Sequence, residues 1–359
     1  MEEMELNRIW HEPEVVIYGG VITPGIRCSG QAYDLANRRW YQINVNTDAY
    51  DEEWMANIVE NHISTYYHSF GKQTPFNVIN ATREDGPVEF EIQPNHIIAR
   101  PIREKCQFYP RGETSIPIVS FDQLVDKVYL GRAVDRCRWK GQDCAFKRIE
   151  FDCDVGGIDR EIKSREKLLA ALSPHCEANK IMAQRFNVVP ILAVVITEKD
   201  VDNHEVVGIL MPFGGPSLES LSESGSKSAA SLPGLIDLGI TREQLRDLAC
   251  GVRELAQAGV VHGDINERNT LIKPHEAAAS AEGFQGQSRL VLVDFGDLAP
   301  EYKNDAFALG ELFIWCKERS SWGVSDQRRI EDAAQVLKEN GDYDRALSVL
   351  DDASDGRGE

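Results

Sequence analysis

Val261-His262-Gly263-Asp264-Ile265-Asn266-Glu267-Arg268-Asn269-Thr270-Leu271-Ile272 is the stretch whose reading decides the fold. After a polar insert it is answered by Arg289-Leu290-Val291-Leu292-Val293-Asp294-Phe295-Gly296. Asp264 and Asn269 stand five positions apart in a short polar turn. Thr270-Leu271-Ile272 and Leu290-Val291-Leu292-Val293 read as two short apolar strands bracketing a loop. Asp294 ends the second strand and is followed by Phe295 and the permissive Gly296.

Working outward, the chain as a whole narrows the classes open to it. Its 359 residues suffice for two or three domains with a sizeable core. A formal net charge of −19 argues against nonspecific binding to nucleic acid or to an anionic membrane, since phosphate surfaces attract positive charge. No apolar run approaches the length of a membrane span. The acidic start, Met1-Glu2-Glu3-Met4-Glu5, lacks an apolar signal core. The eight cysteines are scattered without a C-x-x-C pair, so they are expected to be reduced thiols packing as small apolar groups. The expectation is a cytoplasmic or nuclear protein.

Three regions are expected. Residues 1–118 read as a small α+β region. Glu14-Val15-Val16-Ile17-Tyr18 forms a strand ending at Gly19-Gly20, and Arg39-Trp40-Tyr41-Gln42-Ile43-Asn44-Val45 forms another. Trp54, Ile58, Val59, Ile63 and Tyr66 recur at helical spacing, and strands follow at 88–92 and 96–100. His62 and His68 read as surface or interface groups, because no further ligand type clusters with them. From residue 119 the character changes. Arg136-Cys137-Arg138-Trp139 and Asp143-Cys144-Ala145-Phe146-Lys147-Arg148-Ile149 make a hairpin around Lys140-Gly141-Gln142. Ile158, Ile162, Leu168, Leu169 and Leu172 mark a helix, and apolar strands follow at 188–197 and 206–211, with a turn at 200–203 between them. The serine-rich run 222–231 reads as a flexible loop. Thr241-x-x-Gln244 is a capping box for a helix carrying Leu245, Leu248, Val252 and Leu255. The stretch 274–288 reads as an exposed insertion. The tail has helical spacing at Ile330, Ala333, Ala334 and Leu337, then at Tyr343, Leu347 and Leu350, before a polar stub.

A carboxylate beside the acceptor hydroxyl, with carboxylate and amide oxygens for Mg²⁺, is the set that phosphoryl transfer from ATP needs. Asp264, Asp294 and Asn269 supply those groups in that order. The two motifs resemble the catalytic loop and D-F-G of the protein kinase superfamily, and the resemblance covers residues 128–316. It implies an α+β, bilobal protein-kinase-like fold preceded by the N-terminal region: 119–215 as a kinase-like N-lobe, 216–359 as a reduced C-lobe with a short acidic tail. It also implies ATP and Mg²⁺ as cofactors. Cys144-Ala145-Phe146-Lys147 resembles the V-A-I-K strand, so Lys147 would reach the ATP phosphates. The helix that follows would supply the carboxylate holding that lysine. Glu161 and Glu166 point about 140° apart on a helix. Glu161 lies nearer the apolar stripe and is chosen, which leaves Glu166 to the solvated face. Met211-Pro212-Phe213-Gly214-Gly215 resembles the adenine-reading hinge, with Met211, Phe213 and Gly214 as nucleotide contacts. Gly131 would cover the phosphates, and Asn269 and Asp294 would hold the metal. Asp305 resembles the aspartate that braces the catalytic-loop backbone.

Four departures from the family matter. The phosphate-covering loop keeps a single glycine, Gly131. Gly263 replaces the arginine that would answer a phosphorylated activation loop. Asn266 stands where serine/threonine kinases carry a lysine, and Arg268 is the candidate to supply the lost charge, as an arginine there does in tyrosine kinases. Ala299-Pro300-Glu301 matches A-P-E, yet it follows D-F-G almost at once. The first reading is therefore an ATP- and Mg²⁺-dependent phosphotransferase whose acceptor is a hydroxyl of a protein or a small molecule. A pseudokinase used as a binding module or scaffold is the second, and adenylyl transfer on the same fold is the third.

Overall fold

The computed structural model describes residues 11–23, 27–45, 51–70, 78–81, 88–91, 105–110, 116–131, 133–172, 178–197, 205–228, 237–273, 288–296 and 302–351. The strand expected at 96–100, the turn at 200–203, nearly all of the 274–288 insertion, A-P-E at 299–301, the side chain of His68 and the tail past 351 lie outside them. The fold is mixed α+β. It forms two compact units, Met1–Lys105 with Gln123–Asp152, and Cys106–Asp122 with Cys153–Glu359. These divisions do not coincide with the sequence boundaries at 118 and 215.

The first unit opens with β1 (Val15–Thr23), β2 (Arg27–Asp34), β3 (Arg39–Val45), α1 (Glu52–Phe70), β4 (Val78–Ala81) and β5 (Val88–Glu91). The strands pair in chain order, with β3 and β4 parallel and the other neighbours antiparallel. Parallel neighbours cannot be joined by a tight turn, and α1 is the crossover that joins them. Tyr41, Ile43 and Val45 alternate inward from β3 and meet Met55, Val59 and Ile63, one stripe of α1. Two expectations fail here. β1 does not end at Gly19-Gly20 but continues to Thr23, with the register shifting between Ile17 and Gly19; a bulge takes up the irregularity. His62 is not a surface group: it is 4% exposed, because it sits on the inward stripe of α1 beside Ile63. Its ring lies edge-on to Tyr41 at 6.4 Å and beside Tyr66 at 4.7 Å.

After β6 (Ile118–Ser120), which belongs to the second unit, the first unit resumes with β7 (Val125–Gly131), β8 (Val134–Trp139) and β9 (Gln142–Arg148). The expected hairpin is present. Its two-residue loop places Lys140 at φ 49° and Gly141 at φ 79°, the paired positive values that a tight hairpin turn demands. Tyr18, Tyr33 and Trp40 pack on Phe151, with Tyr18 stacked on it at 4.5 Å. The almost fully buried Arg38 pairs with Asp135 at 3.0 Å and with Glu150, while Arg148 reaches the same carboxylates at 3.3 and 3.2 Å. The Tyr129 hydroxyl donates to Glu14 at 2.5 Å. The N-terminal region is thus welded to the hairpin within one unit, by aromatic packing and by an ion cluster shielded from water.

The second unit adds α2 (Asp152–Ala170), α3 (Ala178–Arg185), β10 (Ala193–Ile196), β11 (Val206–Pro212), α4 (Leu218–Ser228), α5 (Arg242–Gln257), β12 (Thr270–Lys273), β13 (Arg289–Leu292), α6 (Asp305–Glu318), α7 (Val324–Asn340) and α8 (Tyr343–Asp351). β10 pairs parallel with β6 and antiparallel with β11. The strand expected from 188 begins only at Ala193. Before it, Val189 N–H donates to Leu292 at 2.9 Å and Leu292 N–H to Asn187 at 2.7 Å, so this segment is claimed by β13. The run read as a flexible loop is helical through Ser228, because Ser217 caps α4 by accepting from Ser220 N–H at 3.2 Å. The expected capping box at Thr241 and Gln244 is formed, with bonds of 3.3 and 2.8 Å.

Leu245, Leu248 and Val252 of α5 meet Leu309, Leu312 and Phe313 of α6, Ile330 and Leu337 of α7, and Leu347 and Leu350 of α8 in one core. Among the described residues, Cys28, Cys106, Cys137, Cys144 and Cys316 are buried free thiols, Cys250 is half-buried and Cys153 exposed. Burial pushes the Cys137 thiol up to about 12 and Cys106 to about 11, which removes their reactivity. No helix among the described residues is long and apolar enough to cross a membrane.

Gly251 of α5 faces the backbone that pairs with β13: a Cβ there would lie 2.7 Å from the Phe186 carbonyl oxygen and 2.9 Å from Asn187 Cβ. Gly251→Ala should therefore lose about 1–3 kcal/mol of stability through overpacking, more than the ~1 kcal/mol that alanine returns in helix propensity. Urea unfolding of the variant against wild type measures the sign.

Candidate functional site

The site is assembled in the second unit from the loop between α5 and β12, the residues that follow β13, and α2. Its anchor is Asp305, the first residue of α6. The Asp305 carboxylate accepts from the N–H groups of His262 at 2.7 Å and Gly263 at 2.9 Å. Burial raises its pKa, while those two hydrogen bonds pull it the other way. The expected bracing role is therefore present in the geometry. Gly263 has φ +83°, a backbone state that L side chains rarely adopt. The glycine read as a lost arginine is one the turn itself requires.

Asp264 is held from both sides. Oδ1 accepts from Asn266 Nδ2 at 2.7 Å and Oδ2 from Asn269 Nδ2 at 2.6 Å. Asn269 Nδ2 also lies 3.0 Å from the Asp264 carbonyl oxygen. Asn266 holds the backbone as well, since its Oδ1 accepts from the N–H groups of Arg268 and Asn269, both at 3.0 Å. Thr270 Oγ1 donates to the Asn266 carbonyl at 2.7 Å. The residue standing where a lysine was expected is thus the brace of the loop. Its signal was legible, since an asparagine readily bonds the backbone two residues on. Arg268 is exposed, and it is the backbone N–H of this residue that bonds Asn266.

The segment after β13 closes on this loop. Val293 N–H donates to Asn269 and Gly296 N–H to His262, both at 2.9 Å. Asp294 stands at φ +59°, an uncommon left-handed state for a residue with a side chain, tolerated best by aspartate and asparagine. A Cβ on Gly296 would lie 2.6 Å from Asp264 Cβ, so only glycine lets the two segments approach. Phe295 is buried against His262, with ring centroids 4.7 Å apart, among Leu168, Met182, Phe186, Val188, Leu255 and Val260.

Glu161 on α2 is fully buried, as chosen from the apolar stripe. Its neighbour one turn on, Arg165, is equally buried, with Nη1 3.3 Å from Glu161 Oε2. The spacing of four was visible in the sequence, yet an arginine on the core face was not expected. Glu166 is not on the solvated face. It is half-buried and its Oε1 accepts from Ile116 N–H at 2.9 Å, because the 116–120 segment runs past that side of α2.

Met211 is buried at the end of β11, and Phe213 is exposed. Gly214 packs so closely that a Cβ would lie 2.6 Å from Leu271 Cδ1, and Gly215 has φ +89°. These glycines let the segment after β11 run against β12, where Ser217 bridges Leu271. Lys147 lies on β9 of the first unit, opposite Val134, and Gly131 ends β7. A Cβ on Gly131 would meet nothing within 4 Å, so no close approach there demands glycine. Among the described residues no three His, Cys, Asp or Glu side chains converge to form a metal cage.

The chain matches no protein-family model, and no curated protein is significantly similar to it.

Removing the anchor should unlock the loop. Asp305→Ala leaves two buried N–H groups without an acceptor and should lower stability by about 1–3 kcal/mol. Gly263→Ala should lose about 1–2 kcal/mol from its backbone conformation alone. Thermal and urea unfolding measure both, and hydrogen exchange at His262 and Gly263 should rise in the Asp305 variant.

Proposed function

We propose that this chain is an ATP- and Mg²⁺-dependent phosphotransferase with a bilobal protein-kinase-like fold and a reduced C-lobe. The observation that carries the reading is the approach of Asp264, Asn269 and the Asp294-Phe295-Gly296 segment in one braced site. Asp264 is the group assigned to orient the acceptor hydroxyl. A carboxylate offers about four lone-pair positions. Its two amide bonds fix its orientation and leave acceptor capacity for a substrate proton.

The donor set fits a hard cation. Asn269 turns Nδ2 toward Asp264, which leaves Oδ1 on the other side of the amide, and Asp294 supplies a carboxylate. Mg²⁺ is typically held by one or two such protein oxygens together with substrate phosphates, so a full protein cage is not required. Bound there, the metal would neutralise charge on the transferring phosphoryl group. Lys147 is assigned to the nucleotide phosphates and Glu161 to the site's α2 wall. Met211, Phe213 and Gly214 are assigned to the base and Arg268 to auxiliary charge. Gly131 is assigned to the phosphates, in open surroundings that do not themselves require glycine.

The acceptor is a hydroxyl of a small molecule or a protein. One observation favours a second reading, a nucleotide-binding scaffold. Both Asp264 oxygens are engaged in holding the loop together, which a residue serving only as a brace would also do.

Asp264→Asn separates the two. In the phosphotransferase, Mg²⁺-dependent turnover of ATP should fall on the order of 10²-fold or more with nucleotide affinity nearly unchanged. In a scaffold the wild type binds nucleotide without turnover above the variant, and the change costs only stability. Asp294→Asn should abolish the Mg²⁺ enhancement of nucleotide binding, because an amide is the poorer ligand for a hard cation; titration calorimetry with and without Mg²⁺ measures it.

A further inference from the structure

In the first unit a hairpin turn is buried. Turns normally run over the surface, because their backbone polar groups need water. Between β2 and β3, however, Leu35, Ala36 and Asn37 are all buried. Asp34 makes this tolerable: its carboxylate accepts from the N–H groups of Ala36 at 3.1 Å and Asn37 at 3.2 Å, and from Asn37 Nδ2 at 2.8 Å. Arg38 N–H returns to the Asp34 carbonyl at 2.7 Å, and Arg38 stands at φ 58°, an unfavourable left-handed state for an arginine. What the turn delivers is the Arg38 guanidinium. It closes an alternating ring with Asp135 of β8, Arg148 of β9 and Glu150. Arg38 meets Asp135 at 3.0 Å, Asp135 meets Arg148 at 3.3 Å, Arg148 meets Glu150 at 3.2 Å, and Glu150 returns to Arg38. Three members belong to the β8–β9 hairpin and its exit. Without Arg38 they carry one positive and two negative charges, and the side chains of Asp135 and Glu150 are only 3% and 1% exposed. A buried carboxylate stripped of its cation is strongly unfavourable.

We infer that Arg38 is a positioning residue for Lys147: the β2–β3 turn of the N-terminal region supplies the cation that fixes the end of β9. Lys147 immediately precedes Arg148, and successive side chains of a strand point to opposite faces. Holding Arg148 in the ring on one face therefore sets Lys147 on the other, and a slip of one residue would reverse it. The same region holds the rest of the connection that leaves β9. Glu150 is in the ring, and Phe151 is stacked on Tyr18 at 4.5 Å and edge-on to Tyr33 at 5.4 Å. An aliphatic side chain at position 38 would bury the turn without the desolvation cost of a charge. The guanidinium, whose planar fork reaches two carboxylates at once, serves geometry rather than packing. Arg38 lies outside residues 128–316, the stretch that carries the kinase resemblance. The N-terminal region is thereby given a task, which is to hold the strand that presents the phosphate-binding lysine.

The consequence for nucleotide rests on the phosphotransferase reading, but the placement of β9 does not. Hydrogen exchange is followed at the Arg148 amide, which donates to the Ala133 carbonyl at 2.8 Å. In Arg38→Met it should exchange about 10²-fold faster, the ratio that a stranded buried carboxylate supports, with Ile43 and Val59 unchanged. Arg38→Met/Glu150→Gln returns the ring to zero net charge and serves should the single variant fail to fold. Its Arg148 protection should recover most of the way to wild type, and that of Arg38→Lys only in part. Titration calorimetry then compares ATP with adenosine, which has no phosphate for Lys147. Arg38→Met should weaken ATP about tenfold, the scale of one charge-assisted hydrogen bond, and leave adenosine unchanged. In a Lys147→Ala background the same substitution should weaken ATP no further. Unchanged Arg148 exchange in Arg38→Met, no recovery in the charge-balanced variant, or equal losses for ATP and adenosine would overturn the inference. So would a full tenfold loss in the Lys147→Ala background. Wild-type protein that binds neither ATP nor adenosine would sink the phosphotransferase reading and leave the Arg148 exchange to decide the role of Arg38.

Discussion

Two backbone N–H groups donating to one buried carboxylate hold the centre of the second unit together. Asp305 receives His262 and Gly263 at the start of α6, and α6 is itself fixed in the main core by Leu309, Leu312 and Phe313. A turn containing a glycine at φ +83° would otherwise sample many states. Tied to a helix terminus, it presents Asp264 in one orientation, and Asn266 and Asn269 complete the frame. The polar loop thus takes its rigidity from an apolar core.

The second organising fact is that charges are buried in both units, each compensated locally. In the first unit Arg38 and Arg148 share Asp135 and Glu150, alongside the Tyr18–Phe151 stack. In the second, Arg165 meets Glu161, a carbonyl and an aromatic face. Such arrangements contribute little net stability relative to apolar packing, yet they penalise every alternative geometry, because a stranded buried charge is costly. The ion cluster also explains why the N-terminal region is no separate appendage: it completes the unit that carries the β8–β9 hairpin and Lys147.

Two residues that read as losses are structural requirements. Gly263 serves a positive φ. Asn266 closes the loop with bonds a lysine could not make, since lysine offers no acceptor. A family pattern compared letter by letter marks these positions as departures. Placed in the fold, they support the same loop by other means.

Much was legible from the chain by itself. Strand pairs around polar turns, the Thr241 capping box, the α7 and α8 stripes and the inward face of Glu161 all depend on neighbours a few residues away, which periodicity and capping report directly. The order of Asp264, Asn269 and Asp294 was likewise readable from the chain, whereas the bracing role of Asp305 came only from the resemblance of its stretch to a known motif. What depended on distant partners was not. Arg165 and His62 carry polar side chains that composition places at the surface, and besides a neighbour one helical turn away, Glu161 for one and Tyr66 for the other, each has partners far along the chain, Phe295 and Val189 for one and Tyr41 for the other. Val188 and Val189 have strand-forming side chains, but β13 captures their backbone before β10 begins. Glu166 was assigned by helix angle alone, and the Ile116 amide that holds it lies fifty positions away. Local sequence determined which elements form and which polar residues stand together. Tertiary packing decided which charges are buried, because the compensation for a buried charge comes from whatever the fold brings beside it.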